Sequence, residues 1–158
     1  MQLILPTEYD LAHAEALLEA ARKVRLNAYA PYSKYQVGAA LLTPGGRMYV
    51  GCNVESADYD GTHAEEAALA AMVASGDRTP VLLAVFGGLE GEADPSNAPP
   101  CGKCRQKLME FSSLSGHELG IFVTDPVRGD LRVVLLSEIL PWSFGPANIG
   151  VDVARYRR

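Results

Sequence analysis

The six consecutive apolar residues Val81-Leu82-Leu83-Ala84-Val85-Phe86 are the stretch from which the fold is predicted. A short run that is apolar at every position is typical of a strand with both faces buried. A strand of this kind lies in the middle of a sheet that is covered on both sides. Helices are therefore expected among the flanking segments.

Helical segments are predicted before and after this strand. The alanine-rich segment His63–Ser75 precedes it and stops at a glycine, and the segment Cys101–Phe111 follows it. Residues 8–27 carry apolar side chains at helical spacing, with Thr7 and Asp10 placed like a capping box at the start. Helices thus alternate with strands along the chain.

Four more strands are predicted in two pairs. Tyr35–Leu42 and Arg47–Asn53 flank the turn Thr43-Pro44-Gly45-Gly46, which predicts a hairpin. Ile121–Thr124 and Leu131–Leu136 form the second pair, and a short helix follows them. The order α-β-β-α-β-α-β-β-α predicts a central sheet of about five strands with helices on both faces.

The length of the chain predicts its domain organisation. The 158 residues fit one domain, and neither a repeat nor a linker divides them. We therefore expect a single domain over residues 1–158. Residues 87–100 form a predicted loop that contains three prolines and is long enough to be functional.

Charge and hydropathy narrow the choice of partners and location. The 14 basic and 19 acidic residues give a net charge of −5, which does not favour nucleic acid as a ligand. No apolar run approaches the roughly 20 residues of a membrane-spanning helix, and Met1–Thr7 lacks the pattern of a secretory signal. We expect a cytoplasmic protein that acts on a small molecule.

Two predicted helix starts carry the candidate metal-binding and catalytic residues. His63 and Glu65 begin one helix, and Cys101 with Cys104, three residues apart, lies on one face of the first turn of the other. One imidazole and two thiolates leave a fourth zinc position open for water, as catalytic zinc requires. Glu65 then lies beside the metal without being needed as a ligand. H-x-E followed by P-C-x-x-C is the established signature of zinc-dependent deaminases.

Two other interpretations of these residues are open. A redox C-x-x-C pair explains neither His63 nor Glu65. A closed structural zinc site needs a fourth ligand, and the two other histidines, His13 and His117, lack a supporting pattern and are expected at the surface. The remaining cysteine, Cys52, is expected to be a small buried apolar residue.

From about residue 28 to residue 145 the chain resembles the cytidine deaminase family in its short, single-domain form. The resemblance implies a three-layer α/β/α sandwich with a mixed central sheet. It also implies a zinc-dependent hydrolase of pyrimidine salvage. The matching blocks are Tyr29-Ala30-Pro31-Tyr32-Ser33, Val37-Gly38-Ala39-Ala40-Leu41-Leu42, Gly51-Cys52-Asn53-Val54-Glu55, His63-Ala64-Glu65, Pro100-Cys101-Gly102-Lys103-Cys104-Arg105-Gln106, and Leu140-Pro141 with Phe144-Gly145-Pro146.

The resemblance assigns roles to residues of the site. One zinc ion per subunit, bound by His63, Cys101 and Cys104, supplies an activated water. Glu65 carries the proton in the conversion of cytidine or deoxycytidine to uridine or deoxyuridine and ammonia.

The same resemblance implies contacts with the substrate. Asn53 and Glu55 hold the ribose hydroxyls, and the amide of Ala64 binds the pyrimidine carbonyl. Tyr35, where the family usually has Phe, packs near the nucleoside. For Tyr35 plain strand packing is an equal alternative.

Two aromatic residues are expected to act across a subunit boundary. Phe144 resembles the aromatic residue that a neighbouring subunit lends to the site in this family, and Tyr59 is a second candidate. The resemblance implies a homo-oligomer, with a tetramer favoured and a dimer as the alternative.

Some residues depart from the pattern of the short form. His63 and Glu66 stand where it usually has Cys and Arg, Ser56 replaces Asn, and the loop over 87–99 is longer. Lys103 is expected either to pair with Glu66 or to be solvated. These departures keep open a modified or cationic aminopyrimidine nucleoside as substrate, such as an N4-substituted cytidine or a nucleoside antibiotic. A non-catalytic zinc module is the alternative from another class.

Overall fold

The computed structural model describes residues 11–157, except for the side chain of Leu11. Six strands, four α-helices and two 3₁₀ turns occur in these residues. In chain order they are α1 (Leu11–Arg25), β1 (Tyr35–Leu42), β2 (Met48–Cys52), α2 (Ala64–Ala74), β3 (Leu82–Leu89), β4 (Ser96–Asn97), α3 (Gly102–Ser115), β5 (Gly120–Thr124), β6 (Leu131–Leu135), α4 (Leu136–Ile139), and the 3₁₀ turns Pro146–Ile149 and Ala154–Tyr156.

The strands form one mixed sheet in the order β2-β1-β3-β5-β6, and the short β4 pairs with β3 outside this path. β1 is antiparallel to both β2 and β3, β3 is parallel to β5, and β5 is antiparallel to β6. The predicted central position of the apolar run is confirmed, because β3 is buried from Leu82 through Gly88.

Helices cover both faces of the sheet, which confirms the predicted sandwich. Strand side chains alternate between the two faces, so Leu41 and Leu83 pack with α2 and α3, whereas Leu42 and Leu82 pack with α1. On the face covered by α1 the buried helical residues include Leu17. On the face covered by α2 and α3 they include Ala68, Met72 and Leu108. Burial on two faces explains why β3 is apolar throughout.

Two glycines allow the helices to approach the sheet closely. A Cβ on Gly38 of β1 would lie 2.2 Å from the carbonyl oxygen of Ala21 in α1. A Cβ on Gly51 of β2 would lie 2.3 Å from the backbone nitrogen of Ala68 in α2. These contacts involve backbone atoms, so side-chain rotation cannot relieve them. Gly51 therefore sets the distance between β2 and α2.

The structure corrects several predicted boundaries. β3 continues to Leu89, because Gly87 and Gly88 pair with β1 although they have no apolar side chain to indicate a strand. The short strand β4 also lies inside the segment predicted to be a loop. α3 runs to Ser115 rather than Phe111. α1 ends at Arg25, and the predicted capping box lies outside the described residues.

Gly51→Ala should lower the free energy of unfolding by about 1–3 kcal/mol or more, since the new methyl group would force α2 away from β2. Gly45→Ala is the matched control, because a Cβ there meets nothing within 4 Å. The control should change stability by less than about 1 kcal/mol. Urea denaturation followed by circular dichroism measures both. Equal stability of the two variants would contradict the close-packing argument.

Candidate active site

The two helix starts that were singled out in the sequence meet in space. His63 is the N-cap of α2 and Cys101 is the N-cap of α3, both with extended backbone conformation. Cys104 lies one turn into α3. The positive ends of two helix dipoles therefore face the same point, which favours negatively charged sulfur ligands there.

The three predicted zinc ligands lie together. Their ligand atoms are all within 4.8 Å of one another. The Nδ1 atom of His63 is 3.3 Å from the Sγ atom of Cys101 and 3.4 Å from that of Cys104. Zinc bonded tetrahedrally at about 2.0 Å to nitrogen and about 2.3 Å to sulfur holds such atoms roughly 3.5 Å apart. The residues present therefore fit a zinc ion.

The surroundings of Cys104 disfavour its thiolate unless a cation lies beside it. Burial raises the pKa of the Cys104 thiol, and the neighbouring Glu65 carboxylate and Cys101 raise the pKa further. A thiolate at this position needs a positive charge beside it. One imidazole nitrogen with two sulfurs is a donor set that suits zinc. Cys101 is exposed, so the cluster opens to solvent on its side.

A cleft of about 270 Å³ lies over the cluster. Glu65, in the first turn of α2, is 5% exposed and lines this cleft. A carboxylate that is buried, adjacent to the cluster and not among the three ligands is available to move protons. The predicted residues Tyr35, Asn53 and Ala64 line the same cleft.

Asn53 is held by the backbone of β1. Its Oδ1 accepts a hydrogen bond from the N–H of Val37 at 2.7 Å, and its Nδ2 donates to the carbonyl of Tyr35 at 2.9 Å. An asparagine side chain has two donor hydrogens and two acceptor lone pairs. One donor and one acceptor position of Asn53 therefore remain for a ligand.

Glu55 lies in a neighbouring pocket of about 330 Å³ rather than in the described lining of the zinc cleft. Its Oε2 accepts hydrogen bonds from the N–H groups of Tyr32 (2.9 Å) and Ser33 (3.2 Å), and its Oε1 contacts the Ser33 hydroxyl. The Ser33 hydroxyl is the main cause that lowers the pKa of Glu55. The carboxylate is thus fixed and charged at neutral pH.

Two predicted aromatic residues are outside the cleft of their own chain. Tyr59 is 90% exposed, has a φ of 64°, and lines the neighbouring pocket, where its ring lies 6.4 Å from that of Tyr32. Phe144 is 60% exposed. The carbonyl of Phe144 accepts a hydrogen bond from Gln106 of α3 at 2.7 Å, which ties this segment to the helix that carries the cysteines.

Sequence reasoning missed part of the wall of the cleft. Ala98 and Pro99 line it, at the end of the segment that was expected to be a loop. The N–H of Ala98 donates to the carbonyl of Val85 at 3.0 Å, and the Asn97 amide donates to the carbonyls of Val85 (3.0 Å) and Phe122 (3.1 Å). Ala98 and Pro99 directly precede Pro100-Cys101 in the sequence, and this position could have indicated that they lie beside the site.

Glu66 has partners on both sides. Its Oε2 accepts a hydrogen bond from the N–H of His63 at 2.8 Å, and its Oε1 is 3.4 Å from Nζ of Lys103 and contacts Nζ of Lys107. Burial alone would raise the pKa of Glu66, but Lys107, the His63 N–H and Lys103 outweigh it and lower the pKa to about 2. Lys103 therefore pairs with Glu66, and Lys107 is a partner that sequence reasoning did not identify.

The other residues with predicted environments are mostly where they were expected. His13 and His117 are at the surface. Cys52 is half-buried rather than fully buried, and burial raises the pKa of its thiol. None of the helices between residues 11 and 157 is long and apolar enough to cross a membrane.

The mixed sheet, the His-Cys-Cys cluster at two helix starts and the adjacent buried carboxylate define a zinc-dependent hydrolase of the deaminase type. Residues 11–115 match the family model described as the cytidine and deoxycytidylate deaminase zinc-binding region. The chain belongs to the cytidine deaminase family, and zinc is its cofactor. This membership does not favour a redox C-x-x-C pair or a non-catalytic zinc module.

Individual relatives match over most of the chain. The cytidine deaminase of Sporosarcina psychrophila is 37% identical over 136 residues, which are 85% of this chain and 93% of that protein. The crystal structure of the Burkholderia pseudomallei cytidine deaminase has a TM-score of 0.68 at 40% identity and covers 82% of this chain and 98% of its own. The Mycobacterium tuberculosis structure has a TM-score of 0.68 at 34% identity, covering 84% and 97%.

Cys104→Ala should abolish stable zinc binding, because it removes one of three ligands. The wild-type protein should retain about one zinc ion per chain after dialysis against a weak chelator, as measured by mass spectrometry of the metal. Cys52→Ala is the control, because Cys52 is outside the cluster, and it should retain zinc fully. Retention of zinc by Cys104→Ala would show that the cluster is not the metal site.

Proposed function

We propose that this chain converts cytidine and deoxycytidine, with water, to uridine and deoxyuridine with release of ammonia. The observation that carries the proposal is the buried Glu65 carboxylate, which faces the cleft beside three zinc ligands and is not one of them. Several relatives of this chain are named cytidine deaminase, which supports the choice of a cytosine nucleoside. The same names do not favour the modified or cationic nucleosides that were considered as alternatives.

The proposed mechanism assigns the metal to His63, Cys101 and Cys104. Zinc held there supplies Lewis-acid activation of water near neutral pH. Glu65 accepts a proton from the attacking water and delivers it to N3 of the cytosine ring. It then transfers the second proton to the exocyclic nitrogen, which leaves from C4 as ammonia. Both protons of the water are thereby accounted for, and Glu65 ends in its starting state.

The remaining substrate contacts are proposed from the geometry of the cleft. Ala64 is the first residue of α2, so its N–H has no carbonyl partner within the helix and is free for the pyrimidine carbonyl. The free donor and acceptor of Asn53 are proposed to bind a ribose hydroxyl. Tyr35 forms a wall of the cleft, where its ring can pack against the nucleoside.

Glu55 is proposed to bind the ribose from the neighbouring pocket. Its carboxylate shares that pocket with Ser56 and Tyr59 and accepts hydrogen bonds from the turn before β1. Its Oε2 already accepts two hydrogen bonds, whereas its Oε1 accepts only from the Ser33 hydroxyl and has a lone pair left. A ribose hydroxyl that reaches past Asn53 is the partner we assign to it.

We further propose that the active protein is a homo-oligomer, with a tetramer favoured over a dimer. Phe144 and Tyr59 are exposed and outside the cleft of their own chain. Large aromatic side chains in such positions suit a subunit interface. Phe144, with Tyr59 as a second contributor, is proposed to complete the site of a neighbouring copy.

The setting of the reaction is also a proposal. Cys101 and Cys104 must stay reduced to bind zinc, which fits the cytoplasm, and the products fit pyrimidine salvage. We propose that residues 1–158 form a single domain, since one sheet joins all the described strands.

Glu65→Gln should lower kcat by at least about 10³-fold while zinc stays bound, because the proton carrier is lost and the ligands are not. Loss of ultraviolet absorbance with cytidine, deoxycytidine and an N4-methylated cytidine measures the activity. Glu118→Gln, an exposed carboxylate on the surface, is the control and should be unaffected. Turnover of the methylated nucleoside alone would overturn the proposed substrate.

Mixing two impaired variants tests whether Phe144 is donated by a neighbour. Phe144→Ala should lower kcat/KM by about 10-fold or more through loss of an aromatic contact. Exchange of its subunits with those of Glu65→Gln should restore about a quarter of the sites, since these then combine an intact Glu65 with an intact Phe144. Absence of recovery despite verified exchange would place the role of Phe144 within its own chain.

A further inference from the structure

Glu66, Lys103 and Lys107, which we call the helix clamp, connect the two helices that carry the zinc ligands. Glu66 lies in the first turn of α2, and the two lysines lie one turn apart on α3. We propose that the helix clamp is a positioning cluster that holds the two helix N-termini at the separation zinc requires and thereby slows loss of the metal. The inference rests on the zinc site of the proposed function, but not on its substrate.

The contacts of Glu66 reach both sets of ligands. One carboxylate oxygen accepts the N–H of His63, the residue that supplies the imidazole, at 2.8 Å. The other oxygen is 3.4 Å from Nζ of Lys103 and in contact with Nζ of Lys107. Lys103 lies between Cys101 and Cys104 in the chain. A single side chain thus bridges the backbone of one ligand to the turn that bears the other two.

A groove between α2 and α3 lies beside the helix clamp. A groove of about 340 Å³ separates α2 and α3 beside Glu66 and Lys107. Its other lining residues are Leu69, Ala70 and Val73 of α2 with Glu110 and Phe111 of α3. Apolar side chains of both helices pack together deeper, against the sheet. On the outer side, where the groove lies, the contact of Glu66 with Lys107 joins the two helices.

The electrostatics of Glu66 explain why both lysines are present. The Glu66 side chain is only 10% exposed. A buried carboxylate without a partner is strongly unfavourable. Lys103 and Lys107 together neutralise Glu66 and leave one positive charge in excess. Asp60 is a weaker neighbour, since its oxygen is 4.0 Å from Lys103 and its side chain is exposed.

The rate of zinc transfer to an excess of a chromophoric chelator tests the proposal directly. Lys107→Met should release zinc about 10-fold faster than wild type, the size of effect that partners behind metal ligands usually have. Lys107→Arg keeps the charge and should restore slow release. Glu66→Gln keeps an acceptor for the His63 N–H but loses the ion pairs, so it should also release zinc faster.

A matched control separates the clamp from ordinary surface ion pairs. Lys23 and Glu19 on α1 form an exposed pair with the same Nζ–Oε1 distance of 3.4 Å as Lys103 and Glu66. Lys23→Met should release zinc at the wild-type rate. The visible spectrum of the cobalt-substituted protein provides a second readout, because it reports the geometry of the ligand set. It should change in Lys107→Met and not in Lys23→Met.

Zinc release and a cobalt spectrum that are both unchanged in Lys107→Met and Glu66→Gln would overturn the clamp. If Lys107→Met does not fold, Lys103→Met and Lys107→Arg still decide the matter, since a charge-dependent clamp predicts faster release for the first and not for the second. The readout needs no nucleoside. A protein that keeps zinc slowly but does not deaminate cytidine would refute the proposed function and leave the clamp standing.

Discussion

The meeting of two helix N-termini within a few ångströms is the constraint on which the rest of this structure depends. His63 and Cys101 are both N-cap residues, and a nitrogen and two sulfurs must lie close together there. α2 reaches this point because Gly51 allows its backbone to touch β2, and α3 reaches it because Cys101 follows the short strand that Asn97 fastens to β3 and β5. The sheet acts as the common reference for both helices.

Much of the fold could be predicted because its signals are local. β1 has the bounds that its apolar and β-branched residues predict, and the buried run Val81–Phe86 lies in the central strand as expected. The missed end of β3 has a physical cause. Gly87 and Gly88 carry no side chain that could mark a strand, yet their backbone pairs with β1, and a Cβ on Gly87 would meet the ring of Tyr35 at 2.7 Å.

Some residues of the candidate site could be predicted from the sequence, and others could not. Its zinc ligands and Glu65 could be predicted from the H-x-E and P-C-x-x-C motifs, because the residues of each motif lie within one turn of a helix start. The role of Lys107 could not be predicted, since its contact with Glu66 joins two helices that are distant in the chain. Asn53 shows a further limit: its residue type predicts a polar contact, but only the structure reveals that half of its hydrogen-bonding capacity is used by the backbone of β1.

The segment between β3 and β4 is attached at both ends and free in between. At one end the guanidinium of Arg25, a buried side chain of α1, donates to the carbonyl of Glu92 at 2.8 Å, while the Glu92 carboxylate accepts the N–H of Leu89. At the other end Asn97 anchors the strand that leads to Pro99 and the cleft wall. Residues 93 and 94 are exposed between these anchors. Evolution, or an engineer inserting a reporter peptide, can therefore change the length of this segment while the metal ligands keep their places.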